Sequence, residues 1–197
     1  MRAVTIVGER LVVAERHVDE PVADQLVVEV AGAGINRGDL WQVAGRYPPP
    51  PGVPADIPGL EFAGTLRATG PLVRTLQPGD KVFGIVGGGA QAELVLTTED
   101  QCVRVPPGLD LVEAGGVPEV FMTAHDAMVT LASLKAGERV LVHAVGSGVG
   151  TAVVQIVVAL GCEVVGTRFP TGSVEFDCAL VMRNLGHEWH SAEDLYV

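Results

Sequence analysis

Residues 139–167, RVLVHAVGSGVGTAVVQIVVALGCEVVGT, constrain the fold more than any other part of the chain. They open with an apolar run, 139–145, of the kind expected for a strand covered on both faces in a parallel sheet. Gly146-Ser147-Gly148-Val149-Gly150 follows at once. Residues 149–160 then read as a helix, Gly161 is placed to end it, and 162–167 read as a second buried strand. Strand, glycine turn, helix and strand in this order make a βαβ unit. A parallel sheet must therefore form part of the core, and the expected class is mixed α/β.

A glycine turn between a strand and a helix has a specific use. The glycines let the backbone turn sharply and let a diphosphate approach it. The free N–H groups at the helix start, with the helix dipole, favour the negative charge. The turn from Gly146 to Gly150 is therefore a candidate diphosphate site. The spacing departs from G-x-G-x-x-G, because Thr151 and not glycine follows Gly150. A tight turn that binds nothing gives the same pattern, so that alternative stays open. In dinucleotide folds an acidic residue at the end of the second strand holds the ribose hydroxyls of NAD. Here that position reads Gly166-Thr167-Arg168, with no acidic residue before Glu175. Hydroxyls and a basic residue suit a 2′-phosphate, so NADPH is expected in preference to NADH.

The preceding residues have another texture. Segments 2–7, 25–31, 60–68, 81–86, 90–96 and 102–105 read as short strands, separated by turn signals such as Gly70-Pro71 and Pro78-Gly79-Asp80. A short helix is expected near 38–44, and Pro48 to Pro51 form a stiff loop. Many short strands predict a β-rich domain reaching to about residue 110. From 111 to 133 the apolar spacing becomes helical, with Pro118 as punctuation.

The formal charge of −11 argues against a nucleic-acid or anionic-membrane partner, since both favour a basic face. The longest apolar runs fall short of a membrane span, and the N-terminus has no signal-peptide core, so a soluble cytoplasmic chain is expected. Cys102, Cys162 and Cys178 are expected to be buried small hydrophobes, neither disulfide-bonded nor metal-bound. His187-Glu188-Trp189-His190 spaces its histidines three apart, which does not fit the metalloprotease helix. His143 is expected to lie in a buried strand as a core histidine, and His125 qualifies as a site residue by type alone.

Three segments carry a family resemblance: AGAGINRGDLWQVAGRYPPPPGVPADIPGLEFAGTL, then LQPGDKVFGIVGGGAQAELVL, then 117–167 from VPEVFMTAHDAM onward. Together they resemble the medium-chain dehydrogenase/reductase superfamily, and within it the zinc-free quinone oxidoreductases related to zeta-crystallin. The resemblance spans residues 1–167. It implies a GroES-like substrate domain over 1–115 and a Rossmann-like nucleotide domain, present in part, over 116–197. It also accounts for metal. In the zinc-dependent members a cysteine and a histidine stand where this chain has Asn36 and Leu60, and neither of these is a normal zinc ligand. No zinc is expected.

The resemblance further implies that Asn36 and Tyr47 line the quinone and nicotinamide pocket. Thr123 would meet the nicotinamide or its phosphates, Ser147 to Gly150 would cradle the diphosphate, and Gly166, Thr167 and Arg168 would surround the adenosine phosphate. Tyr47 has a second reading, as packing against the proline loop. A lysine that family members often carry soon afterwards is replaced by the run Pro170-Thr171-Gly172-Ser173. The implied reaction is hydride transfer from NADPH to a quinone or enone. Alcohol oxidation and enoyl reduction within the same superfamily are the neighbouring readings. A homodimer is the assembly the family suggests.

Thirty residues follow 167. TGSVEFDCALVMRNLG is expected to form a second helix, and HEWHSAEDLYV a third strand or a tail. The second half of a nucleotide domain is not expected in that space. This keeps open a shortened, inert homologue that at most binds nucleotide.

Overall fold

The computed structural model describes residues 1–168 and 177–182. The chain divides into two compact units, Met1–Glu119 and Val120–Val197. The class is mixed α/β, as the sequence predicts.

In the first unit, β1 (Arg2–Val7) and β2 (Arg10–Glu15) form an antiparallel hairpin. Gly8, at φ +62°, opens its two-residue turn. The sequence predicts β1 and misses β2. Leu11, Val12 and Val13 are all exposed, so β2 shows no inside–outside alternation to read. A five-stranded antiparallel sheet follows, in the order β6-β3-β4-β5-β7. Its strands are β3 (Gln25–Gly32), β4 (Glu61–Thr69), β5 (Lys81–Ile85), β6 (Leu94–Thr98) and β7 (Cys102–Arg104). β6 begins later than the expected 90–96. Residues 90, 91 and 93 instead donate their N–H groups to Gly59, Pro58 and Arg2 carbonyls.

Leu26, Val28, Phe62, Leu66, Val82 and Val95 make the core of this unit. Cys102 is buried, and burial pushes its thiol up to about 12. The short helix α1 (Arg37–Val43) leaves the end of β3 after a four-residue link. The helical stretch expected over 111–133 is broken into three. It holds a 3₁₀ turn at Glu113–Gly116, then α2 (Pro118–His125), then a π-helical turn at Asp126–Leu131. Pro118 opens α2 because the first helical residue needs no N–H partner.

In the second unit, β8 (Arg139–Val142) pairs in parallel with β9 (Glu163–Arg168), and α3 (Gly148–Ala159) crosses between them. This is the βαβ unit read from the sequence. Val142, Val153, Val157, Cys162, Val164 and Ala124 form its core. Two details differ from expectation. β8 ends at Val142 rather than 145, and Leu141 is 57% exposed, so the strand is covered on one face only. His143 consequently lies outside the strand and is exposed, which corrects its reading as a core histidine.

β10 (Asp177–Met182) returns antiparallel to β9, where the sequence predicts part of a second helix. A parallel return needs a crossover of a dozen or more residues, and only eight separate the two strands. Cys178 lies in β10, and its side chain, like 169–176 and the tail from 183, lies outside the described residues. The expected third strand or tail, including His187 and His190, falls there too.

Candidate functional site

In the first unit the site is built around a buried carboxylate. Glu61 opens β4 and is 2% exposed. Its Oε1 accepts a hydrogen bond from Asn36 Nδ2 at 2.8 Å, and its Oε2 accepts one from the Glu119 N–H at 3.0 Å. A charge inside an apolar strand is tolerated only when both oxygens are engaged in this way. Asn36 is the N-cap of α1. Its own N–H donates to Asp39 Oδ2 at 2.7 Å, while Asp39 Oδ1 accepts the Gly59 N–H at 2.9 Å. Asp39 is buried, so α1 is pinned at its first turn to the chain entering β4.

Three acidic groups thus lie near one another: Asp39, Glu61 and Glu119. Burial and the neighbouring Glu61 and Asp39 push the Glu119 carboxyl above its usual range. Leu60 is buried. Among the described residues no group of three or more His, Cys, Asp or Glu is placed to hold a metal ion.

Tyr47 is exposed and follows α1 after a short turn. A Cβ on Gly38 would lie 2.8 Å from Leu60 Cδ1 and 3.7 Å from the Tyr47 ring. Glycine at 38 therefore lets Leu60 and Tyr47 close over the start of α1. Asn36 and Tyr47 share this corner of the first unit.

The second unit carries the remaining predicted residues. Ser147 is the N-cap of α3, and its Oγ accepts the Gly150 N–H at 3.0 Å. The Thr151 N–H goes to the Ser147 carbonyl. Helix geometry leaves the N–H groups of Gly148 and Val149 without an intrahelical partner. These two groups fit an anion such as a diphosphate. A Cβ on Gly150 would stand 2.5 Å from the Ala144 carbonyl oxygen, so this glycine is required by the turn itself.

Gly166 is buried against Val145, and the Val145 N–H donates to the Thr167 carbonyl at 2.9 Å. The glycine turn is thereby laced to the end of β9. Thr167 Oγ1 lies 2.9 Å from His143 Nδ1. Arg168 closes β9. Thr123 lies on α2 and is exposed. The structure thus gathers Ser147, Gly148, Val149 and Gly150 in one turn, with Gly166 and Thr167 at the strand beside it.

Sequence reasoning missed Glu61, Asp39 and the His143–Thr167 pair. The signal for Glu61 was present: a carboxylate in the apolar run LEFAGTL has to find partners.

Comparison with known proteins bears on the fold. Residues 22–107 match the family model described as the alcohol dehydrogenase GroES-like domain. Residues 22–107 carry that domain, and the fold is that of the medium-chain dehydrogenase/reductase proteins.

Among individual proteins, it is 39% identical over 155 residues to pikromycin polyketide synthase component PikAII of Streptomyces venezuelae, covering 78% of this chain and 4% of that one. An alcohol dehydrogenase superfamily protein from Novosphingobium aromaticivorans superposes with a TM-score of 0.80 at 30% identity, covering 87% of this chain and 54% of the other. CurK enoyl reductase gives 0.76 at 30%, covering 86% and 54%. A quinone oxidoreductase from Pseudomonas syringae pv. Tomato gives 0.74 at 27%, covering 84% and 52%. The chain spans about half the length of these structures and a small part of the synthase.

Proposed function

We propose that this chain serves an NADPH-dependent, zinc-independent reductase that passes hydride to a quinone or a related conjugated carbonyl. The observation that carries the reading is the Ser147–Gly150 turn, with two N–H groups that have no intrahelical partner at the start of a helix in a βαβ unit. Bound there, the nicotinamide cofactor would supply the hydride. The chain's own residues hold and orient. Gly148 and Val149 N–H groups would take the diphosphate. Thr167 and Arg168, without an acidic neighbour before Glu175, favour a 2′-phosphate. Thr123 would approach the nicotinamide side.

The Asn36 amide and the Tyr47 hydroxyl are the donors available to an acceptor oxygen, where negative charge develops as hydride arrives. No general base is invoked. Zinc independence rests on donor chemistry: Asn36 and Leu60 replace the sulfur and imidazole ligands of the zinc enzymes. Enoyl reduction is the second reading, favoured by the likeness to CurK enoyl reductase and to a polyketide synthase component. A cytoplasmic setting and a homodimer complete the proposal. Among the described residues no helix is long and apolar enough to cross a membrane.

The test is consumption of NADPH and NADH by the purified chain, with a small quinone and with a conjugated enone as acceptors, before and after treatment with a zinc chelator. Faster use of NADPH, unaffected by the chelator, supports the proposal. Preference for the enone would select the second reading. Binding of NADPH without turnover on either acceptor would overturn the proposal and favour an inert homologue.

A further inference from the structure

We propose that Glu61 is the positioning residue of the candidate pocket, fixing which way the Asn36 amide faces. The inference rests on reading Asn36 as a pocket residue. A carboxylate only accepts hydrogen bonds, so the amide end facing Glu61 Oε1 must be the NH2 group. The other carboxylate oxygen is held by the Glu119 N–H at the first turn of α2. Glu61 therefore cannot turn away without leaving a part-buried backbone donor unpaired. Gly34 completes the arrangement, because a Cβ there would overlap the Glu61 carboxylate and lie 2.8 Å from its Cγ. Three segments, the loop before α1, the first residue of β4 and the start of α2, meet on this one side chain. One N–H of Asn36 is thus committed to Glu61, and the amide is held in a single orientation for whatever it meets in the pocket.

Glu61→Gln tests this. The glutamine side chain carries one oxygen and one NH2, so its two ends cannot accept from both Asn36 and Glu119. The Glu119 backbone donor cannot turn, so the glutamine oxygen is expected to stay with it and the Asn36 amide to shift or flip. Two readouts are needed. The first is the Asn36 side-chain NH2 signal in nitrogen-15 NMR of the full chain, assigned by its loss in Asn36→Asp. It is expected to exchange slowly in the parent and to move to the position of a free amide in Glu61→Gln. The second is kinetics: kcat/KM for the acceptor is expected to fall about 10²-fold, as for a misplaced contact group, with the Kd for NADPH within twofold of the parent.

Glu61→Asp keeps the charge and withdraws the oxygens by one methylene, and it is expected to give an intermediate effect on both readouts if Glu61→Gln does not fold. An unchanged Asn36 signal, or kcat/KM within twofold of the parent in the folded variant, overturns the proposal. A parent chain that turns over neither acceptor defeats the functional reading instead, and the NMR signal still decides whether Glu61 holds Asn36.

Discussion

Gly34 lies so close to Glu61 that a single methyl group at 34 would overlap the Glu61 carboxylate. The loop before α1 therefore requires glycine for space, to let a buried charge reach its two donors. Gly34→Ala must push the carboxylate or the loop aside. It is expected to destabilise the chain by about 1–3 kcal/mol, the usual cost of overpacking. Gly116→Ala, where nothing lies within 4 Å of the added carbon, is the control and should change stability by less than about 0.5 kcal/mol. Urea unfolding of the two variants checks the difference.

Glu99 gives a prediction for acid. Its carboxylate accepts from the Thr75 hydroxyl and from the N–H groups of Arg74, Thr75 and Leu76. The Thr75 hydroxyl first, then the backbone donors, hold its pKa down from 4.5 to about 2. A carboxyl with a lowered folded pKa stabilises fully above its unfolded value and loses that contribution as pH falls through the folded one. The chain should therefore lose stability between about pH 4.5 and pH 2. Glu99→Gln should flatten this part of a plot of Tm against pH.

Glu119 behaves in the opposite sense. Burial, then Glu61 and Asp39, raise its pKa. Its contribution is present below the unfolded carboxyl value and is lost as pH rises through the raised folded value. Glu119→Gln removes that loss and leaves the N–H donated to Glu61 in place. Its Tm should exceed that of the parent at pH 7.5, and the gain should shrink toward pH 4. Thermal unfolding across that range tests the sign.

Much of the fold was legible because its signals are local. The turn from Gly146 to Gly150 sits between two apolar strands and a helix, and each neighbour points to the same βαβ unit. β1, β3, β4, β5 and β7 announce themselves by β-branched residues between turn signals. β2 was hidden because its apolar residues face outward on both sides. β10 was hidden because its direction depends on how few residues precede it. At the site, the glycine turn showed in the residue types, whereas Asn36 and Tyr47 were named only through the family resemblance. Glu61 joins residues 25 and 58 positions away, and the pair of His143 with Thr167 spans a parallel strand crossing. Contacts at such separation appear only once the chain is folded.

The turn at Ser147 to Gly150 is the proposed dinucleotide site, and Val149→Asp separates binding from folding there. Val149 is exposed in the first turn of α3. An aspartate at this position favours the helix by about 0.3–1 kcal/mol through the dipole, yet it sets a negative charge against a diphosphate. The decisive measurement is a fluorescence titration of NADPH into the parent chain and into Val149→Asp. Saturable binding by the parent, weakened about tenfold or more in a variant whose Tm is equal or higher, is the predicted result; tenfold corresponds to about 1.4 kcal/mol. No saturable binding by the parent, or equal affinity in the variant, would contradict the account.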